Sequence, residues 1–302
     1  MSRTIAIIGC GLIGRAWTIV FARAGLDVRV WDADPVALQA ACDALYATCV
    51  ETGEDPAILA RVHIASDMAQ ALECAEWVQE NGPESLSIKQ QIYADLDRIA
   101  APETILASSS SALVASQFGA GLAGRARILV AHPVNPPHVI PVVELCPSVD
   151  TDPTVMDRAE ALMRNVGQVP VRLTREIDGF ILNRLQAVLL AEAMSLVGRG
   201  VVTPQGLDDT ITHGLGRRWT LLGPLATINL NAPGGIADYL NRYGPTMARL
   251  SDSAARGEAF TAETAEAIAA TMPPPDQVSN LSRERDTRLS ALSRFLKSPS
   301  KD

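Results

Sequence analysis

The sequence predicts an α/β fold, with a doubly wound parallel sheet in its first part and an all-helical second part, on three observations. From residue 4 onward short apolar runs alternate with longer segments of helical period, the pattern of a parallel sheet wrapped by helices. A glycine-rich turn joins the first such run to the first helical segment. Near residue 178 the alternation stops, and an Ala/Leu-rich stretch opens a remainder that reads as helical throughout.

In order, the first part runs TIAIIG, LIGRAWTIVFARAG, VRVWD, a long segment from Pro35, WVQEN, ESLSIKQQIYADLDRIA, TILASSS and ARILVAHP. It turns at Pro136-Pro137, returns through VIPVVEL, and closes with the short strand signal VPVRL. Asp178-Gly179 then introduces FILNRLQAVLLAEAMSLVGRG, predicted as one long helix ending at Gly198 or Gly200. Thr203-Pro204, Gly223-Pro224 and Pro233-Gly234-Gly235 punctuate the remaining helical part, and three prolines from Pro273 set off a last charged amphipathic segment. The expected division is residues 1–178 and residues 179–302.

At 302 residues, 47% hydrophobic and 20% charged, the chain is large enough for two ordinary domains and has the balance of a soluble protein. A net charge of -8 without a dense basic run argues against nucleic acid or an anionic membrane as partner. No apolar run approaches the roughly 20 residues of a membrane span, and a strand pattern begins too early to leave a signal peptide, so a cytoplasmic location is expected. Cys10, Cys42, Cys49, Cys74 and Cys146 are widely spaced and form no CxxC pair, which suits reduced thiols rather than a metal site.

IAIIGCGLIGRAW sets Gly9, Gly11 and Gly14 as G-x-G-x-x-G between strand and helix, the context that makes this a Rossmann dinucleotide fingerprint. Gly9 permits the tight turn, Gly11 lets backbone approach a pyrophosphate, and Gly14 lets helix meet strand, while the free amides from Leu12 and Ile13 attract the anion. Asp32 ends the second strand 18 residues past Gly14, where a carboxylate accepts from an adenosine ribose and repels a 2'-phosphate. NAD is therefore the expected cofactor. The plainer alternative is an ordinary tight turn with Asp32 as a helix cap.

Ligands of such sheets bind beyond the carboxyl ends of the strands, which directs attention to Glu80 and Asn81, to the serine run ending at Ser111, and to His132 and Asn135. A histidine there can act as a general base near neutral pH, given a partner that orients its ring. Glu144, brought back by the proline turn, can be that partner, and fixed proline φ angles would limit the ordering cost. A buried structural imidazole beside a surface carboxylate stays open as the alternative.

The ordered set GCGLIG, SSSSAL, HPVNPP with Glu144 following, and EIDGFILNRLQ resembles the L-3-hydroxyacyl-CoA dehydrogenase superfamily over residues 3 to about 245. HPVNPPHVIPVVEL, IDGFILNRLQ and GLGRRWTLLGPLATINLN look most like its lambda-crystallin and L-gulonate 3-dehydrogenase branch. The resemblance implies His132 as catalytic base and Glu144 as its partner. It implies Ser111 and Asn183 on the substrate's oxygen, Asn135 near the substrate, and Glu80 and Lys89 at the cofactor. Separately from the resemblance, the long apolar helix and the helical remainder suggest a homodimer through the second domain.

The family's acyl-CoA branch carries a lysine-rich surface near the second helix and a GxGFY-like end, whereas residues 48–67 here hold one fixed positive charge, Arg61, and that end is missing. GLGRRWTLLGP offers Arg217 and Arg218 instead, and Arg218 is the expected grip on a free carboxylate. The leading expectation is an NAD-dependent dehydrogenase of a small L-3-hydroxy acid, L-gulonate-like. An L-3-hydroxyacyl-CoA dehydrogenase, a dehydrogenase of a carnitine-like acid and a non-catalytic NAD-binding crystallin-like protein remain as alternatives.

Overall fold

The structure, a computed structural model, describes residues 3–297. Eight strands form one sheet: β1 (Thr4–Ile8), β2 (Asp27–Trp31), β3 (Val62–Ile64), β4 (Ala75–Glu80), β5 (Ile105–Ser108), β6 (Ile128–Pro133), β7 (Val142–Pro147) and β8 (Val169–Arg172). Their order is β3-β2-β1-β4-β5-β6-β7-β8. The six strands through β6 run parallel; the parallel sheet was expected, but β3 was not, because its three residues fall inside the long segment from Pro35 that carries no strand pattern of its own. β7 lies antiparallel to β6, because the proline turn is too short for a crossover, and β8 runs parallel to β7. The order reverses between β1 and β4, and the crevice at such a switch point is where these sheets take ligands.

Helices α1 (Leu12–Arg23), α2 (Pro35–Thr52), α3 (Met68–Leu72), α4 (Leu86–Ile99), α5 (Ala115–Gly119) and α6 (Pro153–Asn165) accompany the sheet. Alternate strand residues feed two cores: Ile5, Ile7, Val28, Val30 and Leu129 one, Ala6, Ile8, Val78, Leu106 and Val130 the other. Burial on both faces explains why these strands read as continuous apolar runs. In α1 the spacing of Trp17, Val20 and Phe21 turns one face to the sheet, and each buried side chain of this size contributes roughly 1.5–3 kcal/mol. The ends of α2 are written in sequence: Asp34 accepts from the Val36 amide, Pro35 opens the helix, and Gly53 closes it at φ 72°.

The chain divides into two units. The first holds residues up to Ile181 together with the chain from Gln277, and the second holds Leu182–Asp276. The second unit is helical: α7 (Leu182–Gly198), α8 (Pro204–Thr210), α9 (Gly216–Trp219), α10 (Pro224–Asn229), α11 (Gly235–Asp252) and α12 (Ala262–Ala269). The long helix expected to end at Gly198 or Gly200 ends at Gly198.

The expectation of one helical domain through residue 302 differs from this division at its end. The final helix α13 (Val278–Lys297) packs on α2 of the first unit. Ser293 donates to the Val139 carbonyl at 3.0 Å and Thr287 to the Glu51 carbonyl at 3.3 Å. Periodicity marks such a helix as amphipathic without saying which surface it covers.

Beneath α13 His138 is buried, and neither ring nitrogen has a partner among the described residues. Burial, then the Arg23 guanidinium, pushes its pKa down to about 4, against opposing effects of Asp286 and Glu54. The unfolded chain takes this proton near 6.5 and the folded chain only near 4, so stability is full above 6.5 and declines as pH falls between the two. His138→Gln is expected to flatten the slope of unfolding free energy against pH in that window by up to about 1.4 kcal/mol per pH unit. Urea melts at half-unit pH steps check this, and an unchanged slope would remove His138 as the cause.

Candidate active site

Three strand ends converge on the switch-point crevice. At the first, Gly9 (φ 93°) turns the chain out of β1, and its amide is bonded to the Trp31 carbonyl at 2.8 Å. A β-carbon on Gly14 would sit 1.8 Å from the Gly9 carbonyl oxygen, so α1 meets the loop at a distance only glycine permits. A β-carbon on Gly11 would meet nothing within 4 Å, which leaves its outer side open to a ligand. No side chain caps α1 at Gly11, so the amides at its start, from Leu12 and Ile13, are left for an anion such as a pyrophosphate. Asp32 does not cap α2, a task held by Asp34. It accepts from the amides of Cys10 at 2.7 Å and Asp34 at 2.9 Å, holding the glycine loop against the end of β2. Burial, reinforced by Asp32, pushes the Cys10 thiol up to about 12, so it stays protonated.

At the second strand end the four serines part company. Ser108 donates to Glu80 at 2.7 Å and Ser109 to Asn81 at 2.7 Å, while Ser109 accepts from the Trp17 indole at 3.1 Å. Ser110 donates to Glu84. Ser111 alone of the four is exposed.

The third strand end holds His132 and Glu144. They are register partners across β6 and β7, and His132 Nδ1 lies 2.9 Å from Glu144 Oε2. Glu144 Oε1 accepts from the Ile181 amide at 2.8 Å, so the carboxylate is fixed on both oxygens. Phe180 stands against the imidazole, with ring centroids 5.2 Å apart and planes at 35°. Both polar residues are buried, and Asn135 beyond them is exposed at the start of the turn. With Nδ1 occupied, the other ring nitrogen is left for chemistry.

Two family models match this chain: 3-hydroxyacyl-CoA dehydrogenase, NAD binding domain, over residues 4–177, and 3-hydroxyacyl-CoA dehydrogenase, C-terminal domain, over residues 179–269. The chain belongs to the 3-hydroxyacyl-CoA dehydrogenase family. It is 44% identical to a lambda-crystallin homolog of Bos taurus, over 96% of this chain and 94% of that protein. It is 35% identical to an L-carnitine dehydrogenase of Streptomyces griseus subsp. griseus, over 81% and 75% of the two chains. Among solved structures it resembles 5-formyl-3-hydroxy-2-methylpyridine 4-carboxylic acid 5-dehydrogenase, an NAD+-dependent dismutase, with a TM-score of 0.85, 29% identity and 99% of each chain covered.

Members of this family are NAD-dependent oxidoreductases, and NAD is the cofactor here. The residues fit it: the space outside Gly11, the uncapped start of α1 and the carboxylate of Asp32 are the parts such a dinucleotide needs.

Glu80 and Lys89, expected at the cofactor, form a buried ion pair. Glu80 and Lys89 are 0% and 1% exposed and bind each other, with Lys89 Nζ 3.0 and 2.9 Å from the two Glu80 oxygens. Glu80 also accepts from the Gly82 amide at 2.6 Å. The Glu80–Lys89 pair braces the segment after β4, and removing one partner of such a buried pair costs about 3–5 kcal/mol.

The residue that sequence reasoning missed is Glu84. Its carboxylate accepts from the amides of Ser111, Ala112 and Leu113 at 3.3, 3.2 and 3.1 Å, besides the Ser110 hydroxyl, and so holds the loop that presents Ser111. Partial burial raises its pKa, but the Ser110 hydroxyl and those amides outweigh this and leave it below the usual carboxylate range. The signal was a carboxylate in NGPE just past a strand end, with no spacing to pair it with the serine run.

Asn183 and Arg218 belong to the second unit. Asn183 lies in the first turn of α7, and Arg218 is an exposed residue of α9, directly after a π-helical turn at Ile211–Leu215.

The glycine geometry separates binding from folding. Gly11→Val is expected to raise the Kd for NADH at least about tenfold, roughly 1.4 kcal/mol, with the melting temperature nearly unchanged. Gly14→Ala is expected to lower the melting temperature, because backbone must move. Fluorescence titration and thermal melts check both; a Gly11→Val protein that binds NADH normally would contradict this reading of the loop.

Proposed function

We propose that this chain is an NAD-dependent dehydrogenase that oxidises the 3-hydroxyl of a small L-3-hydroxy acid, L-gulonate-like, to the keto acid. The observation that carries the reading is the His132–Glu144 pair at 2.9 Å with Glu144 anchored on the Ile181 amide. A neutral imidazole that donates Nδ1–H to Glu144 keeps a lone pair on Nε2, which takes the hydroxyl proton, and Glu144 stabilises the imidazolium that results. NAD, which the glycine loop and Asp32 would hold, would supply the acceptor for the hydride that leaves the hydroxyl-bearing carbon. Ser111, on the loop held by Glu84, donates to the substrate oxygen as its charge develops, and Asn135 orients the substrate. For Asn183 on the same oxygen and Arg218 on the carboxylate, the support is the family motifs and the chemistry of a guanidinium.

A free acid is favoured over a thioester by the names of two relatives, one acting on carnitine and one on a pyridine carboxylic acid. The lone Arg61 in residues 48–67 points the same way. The second unit exposes Leu185, Val188, Leu221, Leu225 and Leu230, apolar surface that suits a homodimer. Free Cys42 and Cys74 at the surface suit a reducing, cytoplasmic setting.

Turnover of L-gulonate, L-carnitine and 3-hydroxybutyryl-CoA with NAD tests the substrate, and a strong preference for the thioester would defeat it. His132→Ala is expected to lower kcat by about 10²–10⁴ with NADH affinity retained, and Glu144→Gln to lower kcat by at least about a hundredfold. Arg218→Ala is expected mainly to raise KM for free acids. A parallel loss of NADH binding in the His132 variant would indicate misfolding instead.

A further inference from the structure

A cavity of about 380 Å³ lies within the first unit, between α2, the turn after β6 and α13. Leu12 of the glycine loop and Asn135, three residues past His132, border it, and Pro136 and His138 also line it. Against a liquid share of about 30 Å³ per water, it has room for several carbon and oxygen atoms.

Its chemistry is specific. α13 contributes Ser279, Ser282, Arg283, Arg285 and Asp286, and α2 contributes Glu51. The charges close on one another, with Arg285 2.7 Å from Asp286 and Arg283 3.5 Å from Glu51, so the wall carries no net charge to recruit an anion or a cation. Among the described residues no Phe, Tyr or Trp lines it, so a quaternary ammonium finds no cage. The side chains of Asn135, Ser279 and Ser282 make no hydrogen bond to other described residues, and His138 is buried with both nitrogens unpartnered. Donors and acceptors in equal measure, without net charge, match the hydroxyls of a polyol.

We propose that this cavity receives the hydroxylated tail of the substrate, so that the enzyme selects polyhydroxylated carboxylic acids. The specificity element is then α13, which lies beyond residue 269, where the family model ends. The inference rests on the dehydrogenase reading for the position of the reacting carbon, and it adds the cavity and the residues of α13 that choose the acid.

The test compares wild type with Ser282→Leu, which fills the cavity, and Ser282→Ala, which only removes the hydroxyl. Turnover of L-gulonate and of (S)-3-hydroxybutyrate, which lacks the tail, is measured with NAD, and L-gulonate is titrated calorimetrically into the NADH-loaded protein. Ser282→Leu is expected to lower both kcat/KM and affinity for L-gulonate at least tenfold relative to kcat/KM for 3-hydroxybutyrate. Ser282→Ala, losing about one net hydrogen bond, is expected to lose about threefold to tenfold on the same ratio. Equal losses on both acids, or no loss on L-gulonate, overturn the inference. Wild type that uses 3-hydroxybutyrate but neither binds nor oxidises L-gulonate overturns it and leaves the dehydrogenase reading standing. Wild type that oxidises neither acid, yet binds L-gulonate in a way Ser282→Leu abolishes, supports the pocket and removes that reading. Absence of any binding or turnover removes both.

Discussion

The carboxylate of Glu144 joins the sheet to the chemistry. One oxygen meets the His132 ring and the other the amide of Ile181, the last residue of the first unit before α7 begins. A buried carboxylate with only one of these contacts would be costly, and with both it fixes ring orientation and chain exit together. The pairing of β6 with β7 makes this possible, because residues twelve apart face each other only when the chain reverses direction between them. The dense prolines of HPVNPPHVIP belong to that reversal: β7 must return beside β6 in one register, since a slip of one residue would turn Glu144 to the other face of the sheet.

How much of this was legible in the sequence depends on the range of each interaction. The glycine loop, Asp32 at the end of β2, five of the six parallel strands and the span of α7 arise from local patterns, and the structure has them where those patterns place them, while the three-residue β3 was too short to read. His132 and Glu144 were legible as a pair because a short turn links them. The ion pair of Glu80 with Lys89 was not legible for the opposite reason: burial creates it, and nothing local in the sequence announces a sealed pair. Glu84 needed the distance between two loops 27 residues apart, and α13 needed the identity of the surface it covers. Both are tertiary facts that periodicity does not carry.

The two polar systems of the first unit differ in kind. Around the crevice each buried charge is closed by a named partner: Glu80 by Lys89, Ser108 and the Gly82 amide, Glu144 by His132 and the Ile181 amide. Beneath α13 the charges also pair, but hydroxyl, amide and imidazole groups are left without protein partners among the described residues. The first arrangement is finished by folding alone. The second leaves hydrogen-bonding capacity over, and this is why recognition is placed there and proton transfer at the crevice.

The central claim is that Glu144 sets which nitrogen of His132 carries the proton. Nitrogen-15 NMR of the protein labelled in its four histidines, with His132 assigned by difference against a substituted protein, reads this directly. The account predicts a protonated Nδ1 and an unprotonated Nε2 in the neutral ring. A proton on Nε2, leaving the lone pair turned toward Glu144, would contradict it.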